Sequence, residues 1–233
     1  FQAGTGRLAR GAPAAGRMED DMKRILTTAT LLAAATLLGG CYVSLHPLVT
    51  SDVRVYEPTL VGTWAEPDEK GTDGWTFKPA SEEYPTHYTV DIVEEGRSAR
   101  FEGELGRVDG LTVLDLSPAD KQGDCPVLDE HATFQMHVLG VHTLWRVDLT
   151  GDTLTLAPLD SDWLDTAIQE KRVIIAHEHP EGDGDPHATG GLDDHDGRDR
   201  VVLTASSRDL QALVRNYGRL GLFEAEGTRF VRR

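Results

Sequence analysis

The stretch that decides the fold is Leu60-Val61-Gly62-Thr63-Trp64, because it opens a long series of β-rich runs. Tryptophan carries one of the largest apolar surfaces of any side chain, so the simplest interpretation of Trp64 is a residue that fills a β core. The residues before this stretch, 42–58, contain two prolines and no long apolar period. The domain is therefore expected to begin near Leu60.

After Leu60 the apolar residues recur with a period of two, which is the spacing of a strand with one packed face. In the run 143–149, for example, Val147 stands between the charged Arg146 and Asp148. This alternation predicts that one face packs while the other meets solvent or a cavity. The candidate strands are 60–65, 74–78, 87–93, 99–105, 111–116, 133–139, 143–149 and 153–158.

Short connections join several of these runs, and 93–97, 107–110 and 150–152 each contain a glycine suited to a tight turn. Strands joined in this way predict an antiparallel meander, whose exposed edges would disappear if it closed into a barrel. We therefore expect a mainly β, or β-rich α+β, fold built on a barrel of about eight strands.

Two C-terminal helices are predicted, at 160–171 and 206–217. The first has an acidic start, which suits the positive end of a helix, and an apolar stripe at helical spacing. The second begins with Ser206 and Asp209 in the arrangement of a capping box. Both helices are expected to pack against the sheet or to plug one barrel end. Short strands are also predicted at 201–204 and 228–231.

The glycine and tryptophan of the opening stretch resemble the Gly-x-Trp entry of lipocalin-like barrels. By that resemblance, Gly62 lets the chain turn inward and Trp64 closes the narrow end of the barrel, beneath an arginine from near the last strand. The resemblance implies that this guanidinium packs over the indole as a cation–π pair. The candidates for the arginine are Arg229, Arg232 and Arg233, of which Arg232 is preferred.

The N-terminal part has the three regions of an export signal. Met22-Lys23-Arg24 is a basic start, 25–38 is almost wholly apolar or small, and Leu38-Gly39-Gly40-Cys41 closes the segment. The tetrapeptide resembles the bacterial lipobox, which implies cleavage between Gly40 and Cys41 and acylation of the cysteine, palmitate included. The 14 residues of 25–38 fall short of the roughly 20 that a transmembrane helix needs, so a spanning anchor is disfavoured.

The chain is expected to comprise 1–21 as upstream sequence or a misassigned start, 22–40 as signal peptide, 41–58 as a lipidated tether and 59–233 as one β-rich domain. Each buried methylene contributes about 0.8 kcal/mol, and lasting attachment needs more than one chain, which a triacylated cysteine supplies. Tyr42, rather than aspartate, follows the cysteine. By resemblance to the sorting rule of enteric bacteria, this favours the outer membrane facing the periplasm over the inner membrane.

The part after residue 40 is strongly acidic. The first 40 residues hold five Lys/Arg and three Asp/Glu, which leaves 18 basic and 36 acidic side chains and a net charge of −18. Because a phosphate-binding surface needs clustered cations, this balance argues against nucleic acid and against direct adhesion to an anionic bilayer. The second cysteine, Cys125, has no intramolecular partner left and is interpreted as a small buried hydrophobe.

A metal site is not expected, although imidazole and carboxylate are natural ligands of Zn²⁺, Ni²⁺ and Cu²⁺. Four of the nine histidines lie in 177–199, which is acidic, glycine-rich and interpreted as a mobile surface loop. Their spacing matches no closed metal site, and no cofactor is implied. The weak candidates are His177, His179, His187 and His195.

No catalytic residue is assigned. A dense series of carboxylates could supply a general acid and base, but most of them lie at predicted turns or helix starts, where capping is favoured. His137 and His142 flank a predicted hairpin, and no partner follows from their spacing. The common hydrolase motifs are absent after residue 40. The carboxylates are Asp148, Asp152, Asp160, Asp162 and Asp165.

Over residues 41–233 the pattern of His46-Pro47-Leu48, 60–64, Trp75-Thr76-Phe77, 160–164 and Leu203-Thr204-Ala205-Ser206 resembles a group of uncharacterised bacterial lipoproteins. That resemblance implies no activity. The main expectation is a membrane-anchored envelope protein that binds a small apolar ligand or lipid inside its barrel. The alternatives are an acidic module that docks an envelope protein and a hydrolase of an envelope component.

Overall fold

The computed structural model describes residues 42–81, 86–119, 140–178 and 201–233. The strands in these ranges are β1 (Val43–Ser44), β2 (Arg54–Val55), β3 (Gly62–Ala65), β4 (Gly74–Pro79), β5 (His87–Glu94), β6 (Arg97–Val108), β7 (Leu111–Pro118), β8 (Thr143–Thr150), β9 (Thr153–Pro158), β10 (His177–Glu178), β11 (Val202–Leu203) and β12 (Thr228–Arg232). The helices are a 3-10 turn (Pro58–Leu60), α1 (Ser161–Gln169) and α2 (Ser207–Tyr217).

Eight of these strands form a closed antiparallel barrel in the order β3-β4-β5-β6-β7-β8-β9-β12. The ring closes through β12, which pairs with β9 at Phe230 and Leu154 and with β3 at Val231 and Ala65. Closure leaves no edge strand within the ring, which removes a template for aggregation. The predicted mainly β, lipocalin-like barrel with two helices is confirmed.

The strand that completes the ring differs from the one expected. Seven barrel strands match the predicted runs closely, but the eighth is β12, which the sequence indicated only as a short addition at 228–231. The candidate strand 133–139 lies outside the described residues. Alternation along a segment shows which face is apolar but not which other strand it pairs with, so the closing strand could not be read locally.

Two of the predicted turns are two-residue hairpins with left-handed backbone at both central positions. Glu95 and Gly96 have φ of 51° and 73° between β5 and β6, and Asp109 and Gly110 have φ of 49° and 77° between β6 and β7. Turns of this hand match the twist of the strands that they join, and glycine takes the second position without steric cost.

Inward-facing side chains fill the barrel with one apolar core. Its thirteen buried members are Leu60, Trp64, Trp75, Phe77, Tyr88, Val90, Leu105, Leu114, Leu116, Val147, Leu154, Leu156 and Phe230. They alternate along each strand with residues of the outer face, as Leu114 and Leu116 do with Asp115 on β7. The period of two in the sequence therefore defines the lumen side of the wall.

A second core lies outside the barrel, between one part of the wall and the two helices. Val113, Leu144 and Ala157 point outward from β7, β8 and β9 into this layer. The helices contribute Leu164 and Ala167 from α1 and, from α2, the stripe Leu210, Leu213 and Val214. The helices therefore pack on the side of the barrel rather than plug its end, because the strands beneath them are apolar on both faces.

The outer face of β4, β5 and β6 carries charged side chains instead. Asp91 bridges Lys78 and Arg100, at 2.8 Å and 2.6 Å, and the hydrogen bond from Arg100 lowers the pKa of this carboxyl. Glu104 pairs with Arg54 at 2.7 Å. These cross-strand pairs form a solvated surface, the charged wall, away from the helices.

Each helix begins at the cap that its sequence indicates. The Asp160 side chain accepts the Trp163 amide at 2.8 Å and caps α1, and Ser206 accepts the Asp209 amide at 3.3 Å and caps α2. These bonds satisfy amides that have no partner inside the helix. The predicted cap at Ser206 is confirmed, and the Asp209 carboxylate accepts from the Ser206 hydroxyl at 2.7 Å.

The segment 42–58, expected to be a tether with the domain starting near Leu60, is packed into the outer core. Tyr42, Leu48 and Val49 are buried, and β1 pairs in parallel with β11 through Val43 and Val202. Folding therefore extends back to Tyr42. The sequence did not predict this, because the segment is too short to show a periodic pattern of apolar residues. Its burial depends on strands and helices far along the chain.

Closure by β12 can be tested through Phe230, whose ring is buried in the lumen. Phe230→Ala should lower the free energy of unfolding by about 3–5 kcal/mol, because it leaves a cavity where the last strand seals the ring. Arg229→Ala on the exposed face of β12 should change it by less than about 0.5 kcal/mol. Equal urea midpoints for the two variants would contradict the closure.

Candidate functional site

The base of the barrel brings together Gly62, Trp64 and Arg232. Trp64 is fully buried, and the guanidinium carbon of Arg232 lies 4.3 Å from the centre of its ring. Gly62 has a φ of 143°, and a Cβ there would lie 2.5 Å from Nη1 of Arg232. Both the backbone conformation and the guanidinium therefore require glycine at this position.

The guanidinium also fastens the chain that enters the barrel. Nη1 of Arg232 donates to the carbonyl of Val61 at 2.8 Å, and Nη2 donates to the carbonyl of Thr59. Nε donates to Asp152 at 3.1 Å, in the turn between β8 and β9. One planar fork thus holds the 3-10 turn, the first barrel strand and a distant hairpin together.

The other two candidate arginines lie elsewhere. Arg229 is exposed on β12, and Arg233 donates to the carbonyls of Gly71 and Glu69 at 2.8 Å and 3.1 Å. Arg232 lies two residues after Phe230 and so shares its lumen face, and it pairs directly with Trp64 across the sheet, whereas Arg229 and Arg233 lie on the other face of β12.

The 3-10 turn closes the lumen beneath these residues. Nε1 of Trp64 donates to the carbonyl of Leu60 at 2.8 Å. The hydroxyl of the buried Tyr88 accepts from the amide of Glu57 at 2.8 Å and donates to its carbonyl at 3.1 Å. Burial raises the pKa of Tyr88, so the phenol stays protonated and keeps both roles. No buried side-chain nitrogen or oxygen of the described residues lacks a hydrogen-bond partner.

Above the base, the middle of the lumen is filled with side chains. Phe77, Tyr88 and Val90 are fully buried on β4 and β5, and Leu114 and Leu154 are fully buried on the other side of the ring. The rings of Phe77 and Tyr88 meet edge to face at 6.2 Å. This part of the interior is a packed core of the kind that small barrels form.

At the far end of the barrel, where β4 begins and β7 and β9 end, the inward-facing apolar side chains are less completely buried. Trp75 and Trp145 meet edge to face across the lumen with their centres 5.3 Å apart. Inward-facing Ile92, Phe101 and Trp145 are only half-buried there. We call this set, Trp75, Ile92, Phe101 and Trp145, the aromatic rim.

The chemistry of the aromatic rim is apolar. Nε1 of Trp145 donates to the hydroxyl of Thr143 at 3.2 Å, so the indole has its hydrogen bond within the protein. The faces and edges of the rings offer dispersion contacts and π-stacking to a partner. This surface suits an apolar molecule or an aliphatic chain more than a charged one.

A histidine–carboxylate pair lies outside the barrel wall, which the sequence did not reveal. Asp115 on β7 is buried, and its Oδ1 is 2.7 Å from Nδ1 of His142. Its Oδ2 accepts from the amides of Leu48 at 2.7 Å and Val49 at 3.1 Å. The available signal was one charged residue, Asp115, within the otherwise apolar strand predicted at 111–116.

This pair fastens the N-terminal segment to the barrel wall, and we call it the latch. Ser44 exchanges two backbone hydrogen bonds with His142, both of 2.8 Å, but its own hydroxyl donates to the carbonyl of His46 at 2.8 Å. The carboxylate of Asp115 accepts three hydrogen bonds, from the amides of Leu48 and Val49 and from Nδ1 of His142. No nucleophile is directed at the ring by the hydrogen bonds of the described residues.

The carboxylates that the sequence singled out are dispersed over the described part of the molecule. Asp148 pairs with Arg146, Asp152 with Arg232, and Asp165 accepts from the hydroxyl of Tyr42. Asp160 caps α1, while Asp162 lies in its exposed first turn. Among the described residues these side chains do not meet as a general acid and base.

Of the four histidines in the segment 177–199, the described residues include His177. His177 lies on β10, and its Nδ1 is 2.8 Å from the carbonyl of Ile175. No group of three or more metal-binding side chains occurs in the described ranges. Gly40, Cys41, Cys125, His137, His179, His187 and His195 lie outside them.

Within the part of the chain that the structure describes, no helix has both the length and the apolar character to span a membrane. No protein-family model matches the chain, and the searches of curated proteins and of solved structures found no match. The fold and the local geometry of the two ends of the barrel are therefore the basis for any functional conclusion.

The role of Arg232 can be tested by Arg232→Lys, which keeps the charge but loses the fork. The free energy of unfolding should fall by about 1–3 kcal/mol, because an ammonium cannot bond the carbonyls of Thr59 and Val61 while stacking on Trp64. Arg233→Lys is the matched control, since Arg233 also donates to two carbonyls but is exposed. An equal effect of both changes would contradict a special role for Arg232.

The latch can be tested by Asp115→Ala, which removes the shared acceptor of Leu48, Val49 and His142. Unfolding should become easier by about 3 kcal/mol, because buried donors lose a charged partner. Hydrogen exchange should show faster exchange of the Leu48 and Val49 amides. Asp148→Ala on the neighbouring strand is the control, as Asp148 is exposed. Unchanged exchange at the two amides would rule out the latch.

Proposed function

We propose that this chain is an exported, lipid-anchored barrel protein of the bacterial envelope that binds a small apolar molecule or a lipid acyl chain at its aromatic rim. The anchor is proposed from the signal-like segment 22–40 and the lipobox-like Leu38-Gly39-Gly40-Cys41. The favoured location is the outer membrane, facing the periplasm.

The observation that carries the binding proposal is the contrast between the two ends of the barrel. At the base, Trp64 is fully buried, and its indole and the Arg232 guanidinium have their hydrogen-bond partners within the protein. At the rim, Ile92, Phe101 and Trp145 face the lumen and are half-buried. A folded protein gains free energy when such a surface is covered, at roughly 25 cal/mol per Å².

The packed middle of the lumen limits the ligand. Phe77, Val90 and Leu114 fill the space between the rim and the base, so a ligand cannot lie along the full axis. The edge-to-face contact of Trp75 with Trp145 forms the floor of the rim. The proposal is therefore a shallow site for one short aliphatic or aromatic group, whereas the sequence led us to expect a ligand inside the barrel.

Lauric acid titrations followed by native mass spectrometry would test the rim. The protein should bind one molecule, and Trp145→Ala should weaken binding at least about tenfold, since losing a ring costs more than 1.4 kcal/mol of contact. Trp163→Ala is the matched control, because Trp163 lies on α1 outside the barrel. Equal affinities of the two variants, or no binding by the unaltered protein, would overturn the binding proposal.

The anchor is tested separately on the full precursor expressed in a bacterium. The mature protein should carry acyl mass on an N-terminal Cys41 and sediment with membranes, and Cys41→Ala should abolish both. An unacylated N-terminus in the unaltered protein would refute the anchor while leaving the rim to be judged by its own titration.

A further inference from the structure

Carboxylates follow the aromatic rim at the far end of the barrel. On β5, Glu94 comes two residues after the inward-facing Ile92, and ahead of β4, Asp73 comes two residues before the inward-facing Trp75. Successive side chains of a strand point to opposite faces, so residues two apart share a face. Because Trp75 and Ile92 are register partners, Asp73 and Glu94 continue the lumen side of the wall next to each other.

These two carboxylates belong to a cluster with Glu66 and Glu95. Partial burial raises the pKa of Glu94, and repulsion from Asp73, Glu95 and Glu66 raises it further. Asp73 accepts the amide of Glu95 at 2.8 Å, which holds it at the hairpin between β5 and β6. We call Glu66, Asp73, Glu94 and Glu95 the acidic cluster.

The acidic cluster differs from the charged wall in its balance of charge. On the wall, the carboxylate of Asp91 is bridged by Lys78 and Arg100. The charges that shift the pKa of Glu94 are all negative, although Arg97 is its register partner on β6. A cation placed among the carboxylates of the cluster would offset this repulsion and would be attracted to several of them at once.

The apolar surface of the rim lies directly below these carboxylates. Ile92 and Phe101 offer aliphatic and aromatic contact, and the half-buried Trp145 adds an indole ring, which attracts cations as well as apolar groups. Two residues along a strand span roughly 7 Å, so the level of Glu94 is only a few bond lengths above that of Ile92. One small molecule can therefore contact the rim and the acidic cluster together.

We infer that the aromatic rim selects an amphiphile with a cationic head group, whose aliphatic tail covers the rim while the head group lies among the carboxylates of the acidic cluster. The inference rests on the proposed binding site at the rim and names the chemical class of its ligand. An anionic head group in the same place would be repelled, and a neutral one would gain only the apolar contact. The rim supplies affinity, and the acidic cluster supplies the preference for charge.

The test compares decylammonium, decanol and decanoate, which share one tail and differ in the charge of the head group. Each is titrated into the protein at pH 7 and low ionic strength, below the concentration at which it forms micelles, and binding is followed by calorimetry. Decylammonium should bind about tenfold more tightly than decanoate, with decanol between them, because each exposed charge contact contributes up to about 1 kcal/mol. The preference should shrink in high salt, which screens exposed charges.

The double change Glu66→Gln and Glu94→Gln should remove most of this preference and leave the affinity for decanol unchanged. The matched control is Glu102→Gln with Asp148→Asn, which removes the same net charge from exposed positions on the outer face of β6 and β8. The control should keep the preference. Decanol binding establishes in the same samples that the rim of each variant is intact.

Equal affinities of the unaltered protein for decylammonium and decanoate would overturn the inference and leave the rim as a site for apolar groups. A preference that persists in the variant of Glu66 and Glu94 would overturn it as well. Trp145→Ala should weaken binding of all three ligands, and decylammonium binding that survives this change would contradict the inference, because the cation would then lie elsewhere on the acidic surface. If none of the three ligands binds, the proposed rim site itself fails, and the inference fails with it.

Discussion

The structure depends on the closure of the barrel by its last strand. β12 pairs with β9 and β3 at once, and this brings Arg232 over Trp64 and Gly62. Without that closure, β3 and β9 would be open edges and the lumen core would face water. The guanidinium adds bonds to Val61, Thr59 and Asp152, so the ends of the domain and a middle hairpin are secured at one point.

Closure also explains why the helices lie where they do. Once the ring is formed, each strand has one face in the lumen, and β7, β8 and β9 have apolar residues such as Val113, Leu144 and Ala157 on the other face as well. The helices and the N-terminal segment cover that part of the wall. The charged wall of β4 to β6 needs no cover, because cross-strand ion pairs such as Lys78 with Asp91 meet solvent there.

These two layers separate the proposed ligand site from the outer core. The aromatic rim belongs to the lumen and is formed by residues that face inward at one end. The N-terminal segment belongs to the outer layer, where the hydroxyl of the buried Tyr42 donates to Asp165 on α1. Ligand binding at the rim would therefore leave the helices and the N-terminal segment in place.

The sequence by itself determined the features that depend on neighbouring residues. Alternation gave seven strands, glycine turns gave the hairpins at Gly96 and Gly110, and side-chain caps gave both helix starts. The Gly-x-Trp resemblance also predicted an arginine over Trp64. These predictions are correct because the preferences of residues for strands, turns and helix caps act over only a few neighbouring residues.

Only the tertiary structure decided the partners. It selected β12 as the closing strand. It also bonded Arg232 to Val61, which is 171 residues away in the sequence, and Asp115 to Leu48, which is 67 residues away. It also packed the segment 42–58, which was predicted to be a tether, into the outer core. A local pattern shows which face of a segment is apolar, but the surface that covers this face is fixed only when the ring closes.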